Sequence, residues 1–138
     1  MKPPCMVIVQ NVLPALRVEI TRQLIEKYGM KKTEAAKRMG ITQAAVSQYL
    51  SQTRGGDLKD VLKKSSSVMK LIDELTEDIA AGESPLDLLI MRMCRACAVI
   101  RSEGLICEIH KEAVPGLREV KGCSCSMGIM SVSSKNNL

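Results

Sequence analysis

An all-α fold is what this chain's composition and spacing predict, on three observations. Its apolar content comes almost entirely from Leu, Ile, Val, Ala and Met, with Tyr28 and Tyr49 as its two aromatic residues among 138, a palette that suits packed helices. Apolar residues recur every three or four positions in several stretches. Glycine, proline and hydroxyl residues fall between those stretches, where helices start and stop.

The first stretch, Met6 to Gln10, is a short apolar run that reads as a strand or a lead-in. Pro14 then suits the first turn of a helix running to about Tyr28 and closed by Gly29. Leu13, Leu16, Ile20, Leu24 and Ile25 form its inner stripe.

The stretch from Lys32 to Gln52, KTEAAKRMGITQAAVSQYLSQ, predicts two short helices joined by a tight turn. Thr33 is the expected cap of the first, with Glu34 favouring the positive end of the helix dipole and Ala35, Ala36 and Met39 inside. Gly40 stops that helix, because glycine accepts the positive φ of a sharp exit. Ile41 fills the corner and Thr42 caps the second helix, Gln43 to Leu50, which buries Ala45, Val46, Tyr49 and Leu50. Ala36 permits close approach of the two helices. Thr42, Gln43, Ala44, Ser47 and Gln48 face outward. They are small or amide side chains with no acid among them, suited to hydrogen bonding at base edges of double-stranded DNA.

Charge agrees with that reading. Residues 1–56 carry nine Lys or Arg against three Glu, a balance of +6 within an overall +5, and residues 57–92 have a balance of −3. A basic block beside an acidic one points to a local polyanion surface. Lys31, Lys32, Lys37, Arg38 and Arg54 are the expected phosphate contacts.

Thr33 to Ser51 resembles the helix-turn-helix of the Cro/phage-repressor (XRE) class of transcription regulators, through Ala36 in the first helix, the turn glycine Gly40, Val46 docking the second helix, and Gln43 at a position this class often uses to read a base. With VLPALR at Val12 to Arg17 and the cysteine pair leading to GLICEIH at His110, the whole chain is similar to archaeal-type regulators that set such a unit before a cysteine-containing helical tail. The resemblance implies a DNA-binding transcription factor whose tail senses metal, redox state or iron–sulfur supply.

Beyond Gly55-Gly56, Asp57 to Lys64 reads as a short helix, and the serines at 65–67 cap a longer one striped by Val68, Leu71, Ile72, Leu75 and Ile79. Its opposite side carries Asp73, Glu74, Glu77 and Asp78. Pro85 opens the last clear helix, ending near Gly104. The expected organisation is therefore a DNA-binding unit at 1–56 and a helical dimerisation and cysteine-rich region at 57–138. The Val68 to Ile79 stripe suits a two-helix dimer contact or packing on the next helix; because recognition helices work in pairs on palindromic DNA, a homodimer built from Ser66 to Gly104 is expected.

Cys94, Cys97, Cys107, Cys123 and Cys125 form the pattern C-x2-C-x9-C-x15-C-x-C. No apolar run is long enough to cross a bilayer, and the N-terminal MKPPCMVIVQ is too short and too Pro-interrupted for a secretory signal, so a cytoplasmic location is expected. In a reducing compartment clustered thiols favour metal or redox chemistry over disulfides. Soft sulfur ligands select an iron–sulfur cluster or zinc. Cys94, Cys97 and Cys107 leave one position for Cys123, Cys125 or His110. His110 would complete a zinc site; a cubane 4Fe–4S cluster takes four cysteines, employs the downstream pair and is the favoured reading. Ligation would clamp the end of the Leu86 helix to the segment around Cys123.

Enzymatic activity and a small-molecule substrate are not expected. His110 is the one histidine, no Gly-rich phosphate loop is present, and Ser47 sits in a helix rather than a nucleophile turn. The alternative is a DNA-binding antitoxin or adaptor controlled by a protein partner, with a purely structural zinc or no metal.

Overall fold

The computed structural model describes residues 1–51, 60, 62–121 and 124–126. Among these residues the chain is helical with no strand. The elements are α1 (Pro4–Val7), a π-helical turn (Ile8–Val12), α2 (Leu13–Glu26), α3 (Lys32–Met39), α4 (Gln43–Ser51), α5 (Ser66–Ala81), α6 (Leu86–Ser102) and α7 (Cys107–Ala113), followed by 3₁₀ turns at Pro115–Glu119 and Ser124–Ser126.

The apolar run at the N-terminus is helix, not strand. Pro4 occupies the first turn of α1 and Pro14 that of α2, where neither needs to donate a backbone hydrogen bond. The π-helical turn joins them, and Val7, Ile8 and Val12 are buried along it. The side chains therefore follow a helical stripe into the core instead of alternating.

Leu16, Ile20 and Leu24 of α2 are at most 2% exposed and meet Val68, Ile72, Leu75 and Ile79 of α5 and Leu89 and Ile100 of α6 in one buried cluster, which also takes in Ala35 and Ile106. The segments expected as two units thus share that cluster. The α5 stripe, expected to form the dimer contact or pack within the chain, packs within the chain against α2 and α6. Burying a Leu or Ile side chain contributes about 1.5–3 kcal/mol, and intrachain packing captures this without a second copy.

Helix ends follow local rules. Ser65 Oγ accepts from the Val68 amide as the N-cap of α5, and Pro85 is the N-cap of α6. At Gly104 the amides of Gly104 and Leu105 return to the carbonyls of Arg101 and Ile100, the paired bonds of a Schellman ending. Of the helix expected over Asp57 to Lys64, Asp60, Leu62 and Lys63 are helical and Lys64 is already in a turn, while residues 57–59 and 61 lie outside the described residues. No helix among the described residues is long and apolar enough to cross a membrane.

Candidate functional site

Two surfaces collect the chemistry anticipated from the sequence. The first is the α3–α4 pair. Gly40 has φ +66°; its amide donates to the Lys37 carbonyl at 3.3 Å, and the Ile41 amide donates to the Ala36 carbonyl at 3.0 Å. These two bonds satisfy carbonyls that the end of α3 would otherwise leave without partners. Thr42 Oγ1 then accepts from the Ala45 amide at 3.1 Å and starts α4. Ala35, Ala36 and Val46 are buried, with α4 packed on both α3 and α2. Thr42, Gln43, Ala44 and Gln48 are exposed and Ser47 is half-buried, so four of the five expected base-reading residues are open to solvent in and just before α4.

Local details depart from expectation at α3. The helix starts at Lys32, with Lys31 as an N-cap that makes no side-chain bond, so Thr33 lies inside the helix rather than at its cap. Lys31, Lys32 and Lys37 are exposed, as a phosphate contact requires. Arg38 is committed elsewhere. Its Nε donates to Glu34 Oε1 at 2.7 Å and its Nη1 donates to the backbone carbonyls of Ile79 and Ala80. A guanidinium there meets the negative end of the α5 dipole and its open carbonyls, tying α3 to the end of α5. The Glu34–Arg38 spacing is legible in the sequence, whereas the approach of the α5 end is not. Arg54 lies outside the described residues.

The second surface carries the thiols. Cys94 is exposed; Cys97, Cys107 and Cys125 are half-buried. Burial, and after it the neighbouring Cys94, push the Cys97 thiol up to about 11. A bound cation would reverse that effect, because a metal holds thiols deprotonated. The guanidinium of Arg101 near the end of α6 donates to the Cys125 carbonyl at 3.1 and 3.2 Å, which draws the later cysteine segment to α6. Cys123 lies outside the described residues, among which no set of three metal-ligating side chains converges. The described residues therefore supply two thiols three positions apart on α6 and a docked later segment at Cys125.

His110, the alternative fourth ligand, is only 4% exposed, and its Nε2 lies 2.7 Å from the Lys2 carbonyl. It pins the N-terminal segment to α7. No sequence spacing reports that pairing, since the partners stand at opposite ends of the chain and one of them is a backbone atom.

Comparison with protein-family models, with curated proteins and with solved structures finds no match.

Proposed function

We propose that this chain is a sequence-specific, double-stranded-DNA-binding transcription regulator acting as a homodimer, with α3 and α4 as a helix-turn-helix. One observation carries the reading: Thr42, Gln43, Ala44 and Gln48, an exposed and acid-free set, lie at and within a short helix joined to α3 through the Gly40 turn, with Lys31, Lys32 and Lys37 exposed at the start of and along α3. Gln43 is suited to bidentate bonding with an adenine edge. The lysines supply salt-dependent attraction to phosphate that is independent of sequence. The homodimer reading now rests on the outward side of α6, where Leu88 and Met91 are 41% and 63% exposed, instead of on the α5 stripe.

The test is DNA selection followed by titration over a range of salt. Gln43→Ala is expected to reduce discrimination at one base pair by about 1–3 kcal/mol. Lys37→Ala should weaken all DNA alike and lower the magnitude of the salt slope by about 1. If both proteins bind every duplex as the parent does, α4 is not the reader.

The thiols form the proposed sensing half. Cys94, Cys97 and Cys107 with Cys123 or Cys125 would hold a 4Fe–4S cluster, or zinc with His110 as the alternative ligand. Such a group supplies a redox- or supply-dependent crosslink, while this chain's own Arg101 already positions the Cys125 backbone beside α6. Anaerobic purification with iron, sulfide and zinc analysis decides between the two metals. Iron and sulfide lost together in Cys94→Ser are the expected result, and a colourless, zinc-free protein favours control by a protein partner.

A further inference from the structure

A cleft of about 210 Å³ lies where the α3–α4 turn meets the α5–α6 hairpin. Met39, Gly40 and Ile41 form one wall, with Ile79, Leu86 and Ile90 on the other side. Leu86 and Ile90 are 53% and 54% exposed, so the cleft presents apolar surface to water. No acidic residue lines it, and its two charged residues are Arg17 and Arg38. Arg38 is engaged with Glu34 and with the carbonyls that end α5. Arg17 is half-buried and makes no hydrogen bond or ion pair among the described residues.

A partly desolvated guanidinium without an anion, at the edge of an apolar hollow, matches a ligand that is apolar along its body and anionic at one end. Arginine favours a carboxylate because its planar fork donates two parallel hydrogen bonds. Size narrows the class. An apolar cavity of roughly 150 Å³ holds benzene, so this cleft accommodates about eight apolar heavy atoms.

We propose that the cleft is an effector site for a small amphiphilic carboxylate of medium-chain length, with its hydrocarbon against Ile79, Leu86 and Ile90 and its carboxylate on Arg17. Occupation would brace the Gly40 turn against α6. The inference thereby deepens the DNA-binding reading and rests on it for its regulatory consequence alone, since ligand binding is measured without DNA.

Octanoate is the probe, titrated calorimetrically into the full-length protein, with octan-1-ol and octylamine as controls of the same chain length. Saturable one-to-one binding of octanoate, at least tenfold tighter than either control, is expected. Arg17→Gln should remove that preference. Ile90→Glu, a change at a surface position that puts a carboxylate into the cleft, should abolish octanoate binding while the circular dichroism spectrum stays that of the parent. Equal affinity for octanoate and octan-1-ol in the parent, or octanoate binding retained by a folded Ile90→Glu protein, overturns the proposal. Should Arg17→Gln fail to fold, the octylamine comparison and Ile90→Glu decide it.

Discussion

The Gly40 turn and the thiol-bearing end of the chain differ in how far apart their essential partners lie. Around Gly40 every hydrogen bond that sets the geometry joins residues within one or two helical turns, from Ala36 to Ala45. At the other end, the proposed ligation would need residues from Cys94 to Cys125 to converge, and two breaks in helix, at Gly104 and after Ala113, intervene. A local device closes as its helices form. A distributed one depends on the packing of α6 and α7, which makes it the better place for a reversible switch and the worse one for a rigid reader.

The largest expected effect tests whether the two regions share one cooperative unit. Leu24 is wholly buried in the cluster joining α2, α5 and α6, and Leu24→Ala is expected to cost about 2–5 kcal/mol. Thermal unfolding followed by circular dichroism and by thiol labelling should give coincident, lowered transitions; separate transitions would show that the regions fold independently.

A smaller effect separates two neighbouring cations of α3. Arg38→Met removes charge-assisted bonds to Glu34 and the α5 carbonyls and is expected to destabilise by about 1–3 kcal/mol. Lys37→Ala, at an exposed position, should stay within about 0.5 kcal/mol of the parent. Denaturant midpoints measured side by side check the contrast, and equal midpoints would remove Arg38 as the link between α3 and the α5–α6 hairpin.

The smallest effect concerns alkaline pH. The Cys97 thiol is raised from 9.0 to about 11, so the folded chain holds that proton more tightly than the unfolded chain does. The stability this contributes is whole below about pH 9 and is lost as pH rises towards 11. In metal-free protein, Cys97→Ala should therefore show a shallower decline of the urea midpoint across that window, and parallel curves would show that burial does not raise the Cys97 thiol.

Much of the helical framework was legible because it is set by neighbours. Ser65, Pro85 and Gly104 mark boundaries that the structure places as expected, whereas helical backbone continues ahead of Pro14, and the α2 and α5 stripes point inward. The short apolar N-terminal run was ambiguous for the opposite reason. Over five residues helical and alternating patterns overlap, and the continuous helical path through Ile8–Val12 that buries Val7, Ile8 and Val12 resolves them. Thr33 was misplaced as a cap because helix starts shift by one or two residues when a neighbouring residue can begin the helix equally well.

The sequence by itself determined the helices between Leu13 and Ser102 among the described residues, the αL exit at Gly40 and the exposure of Gln43 and Gln48, since dihedral preference, capping and periodicity act over a few residues. Only the tertiary structure decided that Arg38 ends α5 rather than facing solvent, that His110 holds the backbone at Lys2, that the α5 stripe is consumed within the chain, and that Arg17 is left facing an apolar cleft. Those outcomes depend on which surfaces meet when helices pack, and a meeting between a side chain and a distant backbone carbonyl leaves no periodic trace in the order of residues.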